Sequence, residues 1–135
     1  MSKRAIICVD DEKTVLNTLK AQLKKHFSNN YRYEFAESAD EAIELIEELV
    51  EEEVTILIIV SDWLMPGIKG DEFLVIVHKK YPQIVKVILT GQADEESIER
   101  LRRNVNLHRC LFKPWEEKDL LDTITSGIGI SGIGI

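Results

Sequence analysis

The sequence predicts a single α/β domain, a five-stranded parallel sheet with helices on both faces, and three observations carry that expectation. Five short apolar runs alternate with five longer amphipathic stretches along the chain. The central runs lack polar alternation, the mark of strands covered on both faces, as parallel strands are. The 135 residues leave room for one such unit, since domains run to roughly 100–200 residues.

Composition narrows the class of function. With 44% hydrophobic and 30% charged residues the chain can bury a core without disulfide or metal staples. Lys+Arg 17 against Asp+Glu 24 gives a formal charge of -7, which repels phosphate backbones and argues against direct nucleic-acid binding. Cys8 and Cys110 sit inside apolar runs at no metal-ligand spacing, so they read as reduced core thiols. No apolar stretch approaches the ~20 residues of a membrane span and no signal-peptide pattern opens the chain, so no membrane contact and a cytoplasmic location are expected.

Along the chain, residues 5–9 are a buried strand, and after Asp10-Asp11 the positions Val15, Leu16, Leu19, Leu23 and Phe27 recur at helical spacing. Tyr31, Tyr33 and Phe35 alternate with Arg32 and Glu34, as in an edge strand with one wetter face. Ser38 with Glu41 three residues on is a capping-box signature, and Ala42, Ile43, Ile46 and Leu49 continue one helical face. Residues 54–60 form the central strand, stopping at Ser61-Asp62. Met65-Pro66-Gly67 and Gly70 mark a loop, Asp71 begins a helix with Phe73, Leu74 and Val77, and Pro82 closes it.

Residues 84–89 repeat the buried-strand pattern; Ile98, Leu101 and Val105 mark a fourth helix. Cys110-Leu111-Phe112 is a short last strand, and Leu120, Leu121 and Ile124 mark a final helix expected to finish by Gly127. The second and fifth strands are the shortest or least hydrophobic, which makes them the edges. With right-handed crossovers this gives the flavodoxin-like (βα)5 order 2-1-3-4-5, with a site at the strands' C-terminal ends. The domain should occupy residues 1–125. Residues 126–135, SGIGI twice over, read as a linker stub or an appended remnant, because glycine opposes ordering.

The polar residues after the strands fall on one rim: Asp10 and Asp11 after the first, Asp62 after the third, Thr90 after the fourth, Lys113 after the fifth. Three carboxylates about 5 Å apart repel by roughly 3 kcal/mol per pair at an effective dielectric near 20, so gathering them calls for a cation. Oxygen ligands without His or Cys favour Mg²⁺, with Mn²⁺ also fitting. A divalent ion, an ammonium and a hydroxyl around a carboxylate suit phosphoryl transfer, with Asp62 as nucleophile and Lys113 and Thr90 as donors. Singly these residues have blander roles, as helix N-termini, turn entries and strand stops. Their joint placement carries the chemistry.

Ile6-Ile7-Cys8-Val9-Asp10-Asp11, Ser61-Asp62-Trp63-Leu64-Met65-Pro66-Gly67 with Gly70, Val87-Ile88-Leu89-Thr90-Gly91 and Leu111-Phe112-Lys113-Pro114-Trp115 resemble, in order and spacing, the receiver domain of two-component response regulators. The resemblance implies that Asp62 is the phosphoacceptor and that Asp11, Asp62 and the Leu64 backbone carbonyl hold Mg²⁺, with Asp10 acting through water. It implies that Lys113 binds the phosphoryl group, that Thr90 is the switch hydroxyl, and that the Lys113-Pro114 bond is cis. The implied partners are a sensor histidine kinase or histidine phosphotransfer protein upstream and an effector domain or protein downstream, with any homodimer formed through the last two helices. Such a module is a signalling switch, not a turnover enzyme, and its signal is a shift of the helix 4, strand 5 and helix 5 face. One departure stands out: the family's usual aromatic residue three positions before the lysine is here Cys110.

Two alternatives remain. A Mg²⁺-dependent phosphohydrolase with an aspartate nucleophile, of the haloacid-dehalogenase type, would want Asp-x-Asp-x-Thr, and Asp62-Trp63-Leu64-Met65-Pro66 lacks the second acid. A silent interaction module would not need every acidic and basic participant.

Overall fold

The computed structural model describes residues 3–92 and 94–133. Its elements run β1 (Arg4–Val9), α1 (Lys13–Phe27), a short 3-10 turn (Ser28–Asn30), β2 (Arg32–Ala36), α2 (Ala39–Glu51), β3 (Thr55–Asp62), α3 (Gly70–Lys80), β4 (Val85–Thr90), α4 (Glu95–Val105), β5 (Arg109–Phe112) and α5 (Glu117–Ile133). The five strands form one sheet in the order β2-β1-β3-β4-β5, every neighbouring pair parallel, as expected.

Burial follows the sequence pattern. Every residue of β3 after Thr55 is buried, whereas β2 is half-exposed over four of its five residues, as an edge strand should be. Ile7, Val9, Ile59 and Ile88 point to one side and pack with Ile46, Phe73, Leu74 and Leu101 of α2, α3 and α4. Ile6, Cys8, Val60, Val87 and Leu89 point to the other and meet Leu19 and Leu23 of α1 and Leu120 and Ile124 of α5. That alternation along each strand is the period of two that sends neighbouring side chains to opposite faces. The start of α2 is capped as the sequence suggests, the Ser38 hydroxyl accepting from the Glu41 N–H at 3.1 Å; α4 is capped by Asp94, which accepts from the Ser97 N–H at 2.7 Å.

One expectation needs correction. The final helix does not finish by Gly127; it continues through the first SGIGI repeat to Ile133. A Cβ on Gly127 would stand 2.8 Å from Ile58 Cδ1 and 3.3 Å from Val85 Cγ1, so the missing side chain is what lets α5 lie close on β3 and β4. Ile128 also packs against the core on that face, and the burial offsets glycine's entropic disadvantage. The last two residues of the second repeat lie outside the described residues.

The fourth strand is buried along its whole length, as expected, and that burial takes in a charged residue. Lys86 is only 1% exposed, with Nζ 2.8 Å from His78 Nδ1 and donating to the Pro82 carbonyl at 3.1 Å. Its burial holds the ammonium pKa down to about 8. Cys8, buried and near Asp10, is pushed up to about 12, as an inert core thiol should be.

Candidate functional site

The C-terminal ends of β1, β3, β4 and β5 meet at one rim because the strands are parallel, and each end carries a polar residue. Asp10 follows β1 and is anchored by its own N–H, which donates to the Ala36 carbonyl at 3.1 Å. Its Oδ1 accepts from the Glu12 N–H at 2.9 Å, so it also orders the entry to α1. Asp62 is the last residue of β3, and its backbone is backed by Gly70 at the start of α3. A Cβ on Gly70 would fall on the Asp62 carbonyl oxygen, and the Gly70 N–H donates to the Trp63 carbonyl at 2.8 Å. Only glycine permits that approach, which fixes the height of the Asp62 carboxylate above the sheet.

Carboxylate oxygens of Asp10, Asp11 and Asp62 lie within 4.8 Å of one another. Asp10 is 1% exposed and Asp62 5%, while Asp11 faces solvent. Lys113, just past β5, sends its ammonium into the group: Nζ is 2.8 Å from Asp10 Oδ2, 3.4 Å from Asp62 Oδ1 and 3.8 Å from Glu12 Oε1. The Lys113-Pro114 bond is cis. Burial and then the Asp10 charge push the Asp62 carboxyl up to about 6, against the pull of Lys113; Asp11 adds a smaller push. Burial by itself would lower Lys113, but its ion pairs with Asp10, and then Asp62, raise it, so the ammonium stays charged.

One ammonium does not neutralise three carboxylates, and Asp10 Oδ2 has the Lys113 ion pair but no well-aligned hydrogen bond. The donor set fits a hard divalent ion. Two oxygens on one Mg²⁺ lie at most about 4.2 Å apart, so a trio spread up to 4.8 Å fits with one carboxylate acting through a water. Oxygen-only ligands select Mg²⁺ or Mn²⁺ over softer metals.

The remaining residues singled out from sequence stand at the same rim in different states. Leu64 lies in the loop two residues beyond Asp62, with its side chain 49% exposed. Thr90 ends β4, one residue past the Leu89 that pairs with Asp62, and is fully buried. Its hydroxyl is engaged with the next loop, accepting from the Gln92 N–H at 3.1 Å and donating to the Gln92 carbonyl at 3.0 Å. Cys110 is half-buried on the α4 side of β5. One participant, Glu12, escapes the sequence reading, and Gly70 enters it only as a loop and motif residue. Glu12 reaches Lys113 across the pocket, a role signalled only by its place beside the paired aspartates. Gly70 looks in sequence like one more loop glycine and shows its purpose only once Asp62 is behind it.

Residues 6–125 match the family model described as the response regulator receiver domain. Over 128 residues the chain is 31% identical to the hydrogenase transcriptional regulatory protein HoxA of Cupriavidus necator, covering 95% of this chain and 25% of that protein. It therefore spans about a quarter of the length of that relative. Among solved structures, a response regulator receiver domain protein (CheY-like) from Methanospirillum hungatei JF-1 superposes with a TM-score of 0.83 at 26% identity, covering 98% of each chain. The signal receiver domain of an HD domain-containing protein from Pseudomonas fluorescens Pf-5 superposes with a TM-score of 0.84 at 24% identity, covering 96% of this chain and 97% of that one, a likeness of fold.

Proposed function

We propose, from the premise that this chain belongs to the response regulator receiver domains of two-component signalling, that Asp62 accepts a phosphoryl group and the modified state is the signal. The observation that carries the reading is the convergence of Lys113 Nζ and the carboxylates of Asp10, Asp11 and Asp62 at the ends of three strands. Near neutral pH Asp62, with its pKa at about 6, is mostly ionised and so available as a nucleophile.

The donor is the phosphohistidine of a sensor histidine kinase or a histidine phosphotransfer protein. An Asp62 carboxylate oxygen attacks phosphorus in line, the P–N bond breaks, and its electron pair returns to the imidazole nitrogen, giving an acyl phosphate on Asp62. Lys113 is placed to exchange its Asp62 contact for a phosphoryl oxygen, and Asp10 keeps the ammonium oriented. A Mg²⁺ ion held by Asp11, Asp62 and the Leu64 carbonyl, with Asp10 through water, supplies the charge that neutralises the phosphoryl oxygens when bound.

Thr90 then exchanges its Gln92 contacts for a phosphoryl oxygen, releasing the loop into α4 and shifting the α4, β5 and α5 face that an effector domain or protein reads, and through which a homodimer would form. The setting is cytoplasmic; among the described residues no helix is long and apolar enough to cross a membrane. A phosphohydrolase gains no support, since the position two residues after Asp62, where its acid would stand, is the half-exposed Leu64.

The test is incubation with Mg²⁺ and a small acyl phosphate donor, followed by intact-mass measurement. One phosphoryl group per chain, absent in Asp62→Asn and without the metal, is the expected result. An unmodified wild-type chain, or an adduct that survives Asp62→Asn, overturns the reading.

A further inference from the structure

The end of the sheet opposite Asp62 carries a cleft of about 1010 Å³, at the upper end of the ~300–1,000 Å³ that small-molecule sites take. It lies among the first residues of β3 and β4, the approach to β5, and the C-terminal parts of α2, α4 and α5. Val54, Ile84, Val105 and Leu107 give it an aliphatic lining, joined by Val50 and Ile130, two of the five exposed large apolar side chains among the described residues. Lys86 lines the same cleft, and its charge has no counterpart. Among the described residues no carboxylate pairs with it; the ammonium touches only His78 Nδ1 and the Pro82 carbonyl. His78 offers a lone pair and no charge, since burial and Lys86 itself hold the imidazole below its ordinary pKa. An ammonium has three donors, so one N–H is left over. The other charges around the cleft are engaged: Arg102 pairs with Glu99 at 2.7 Å, and His108, kept neutral by burial and Arg109, has Nε2 2.7 Å from Ser126 Oγ.

We propose that this basal cleft binds an amphipathic carboxylate of the fatty-acid type, its head group serving as the counter-ion of Lys86 and its acyl chain covering Val54, Ile84, Val105 and Ile130. Two independent features meet in that ligand. A fully buried ammonium without a carboxylate is rare and weakens the fold that carries it, and a bound anion removes the deficit by taking up the spare N–H and balancing the charge. The aliphatic lining gains by being covered, and it favours a flexible hydrocarbon over a planar aromatic body, since Tyr81 is the one ring around the cleft. The sign is local to this end of the molecule: the chain as a whole carries -7, yet Glu53 is the one acidic residue lining the cleft. Nothing in the chemistry at Asp62 uses Lys86, because the two lie at opposite ends of the parallel strands.

The test is titration of the ¹⁵N-labelled full chain with sodium decanoate at concentrations where it forms no micelles, followed by amide chemical shifts. Decanol supplies the chain without the charge, acetate the charge without the chain, and decyltrimethylammonium the chain with the opposite charge. The expected result is saturable shifts confined to amides around Val54, Ile84, Lys86, Val105 and Leu107 with decanoate. Acetate should leave them unmoved, and decanol and decyltrimethylammonium should bind at least about tenfold more weakly, the loss expected for one hydrogen bond to a charged group. Lys86→Met should bind decanoate no better than decanol. Ile130→Glu, at an exposed position that touches none of the Lys86 contacts, should weaken decanoate without weakening decyltrimethylammonium. Decanoate shifts that do not saturate, or that scatter over the surface, overturn the proposal, as does equal affinity for the cationic amphiphile. Decanoate affinity unchanged in Lys86→Met overturns the role of its ammonium, and affinity unchanged in Ile130→Glu overturns the placement of the acyl chain.

Discussion

Replacing Asp62 by Asn should stabilise the metal-free protein, because the site holds a charge that the fold disfavours. Burial and Asp10 raise the Asp62 pKa from 3.8 to about 6. The unfolded chain has no such burden, so ionising Asp62 in the native state is harder by about 3 kcal/mol at pH 7.5, taking 1.36 kcal/mol per pKa unit. A folded pKa above the unfolded one means the native state binds the extra proton, so stability falls as pH rises from about 4 through 6 and is level above that. The neutral asparagine amide has no such dependence. Urea titrations should therefore show Asp62→Asn more stable by about 2–3 kcal/mol at pH 7.5 without divalent ions and by roughly half that at pH 5. Millimolar Mg²⁺ should narrow the gap by binding the wild-type native state preferentially. A variant that is less stable at both pH values, or equal stabilisation of both proteins by Mg²⁺, would refute the claim that the site holds a buried carboxylate charge beside another.

Three further outcomes rest on neighbouring contacts. Lys113→Met removes the cation that draws the Asp62 pKa down, so the carboxyl carbon resonance of Asp62 should titrate above about 6; an unchanged midpoint would mean that Lys113 does not couple to it. Gly70→Ala places a Cβ on the Asp62 carbonyl oxygen and should destabilise by about 1–3 kcal/mol in urea, with Asp62 displaced and Mg²⁺ affinity lowered; normal stability would contradict the close approach. Lys86→Met replaces a buried ammonium whose pKa is held to about 8. Since the native state there binds the proton less readily than the unfolded chain, wild-type stability should rise between pH 8 and 10.5. The variant should be more stable by up to about 3 kcal/mol at pH 7, less the two lost Lys86 contacts, with no advantage above pH 10.5. Thermal melts across that range check both statements.

Most of the architecture is legible in the chain because the signals are local. Alternation in residues 32–35 against continuous burial in residues 56–60 separates edge from centre, and Ser38 and its capping partner fix where α2 begins. The rim is legible for the same reason: parallel strands deliver whatever comes after them to one end, so Asp10, Asp62, Thr90 and Lys113 need only be read at strand ends. The helical course of residues 127–133 is not legible, because glycine propensity argues against it and only the depth of Ile58 and Val85 beneath Gly127 reverses the sign. Lys86 looks like an interruption of an apolar run and is instead swallowed whole, since the lone pair of His78 and a carbonyl at the end of α3 are within its reach.

By itself the sequence determined the order of strands, which ends carry charge, and the chemical type of each group, since these depend on neighbours a few residues apart. Only the tertiary structure decided that Lys113 divides itself between Asp10 and Asp62, that Gly70 packs against the backbone of Asp62, and that the Thr90 hydroxyl is closed on Gln92. Distances and pKa values arise from Coulomb interactions and desolvation among residues dozens of positions apart, and these take definite values only when the chain has closed around them.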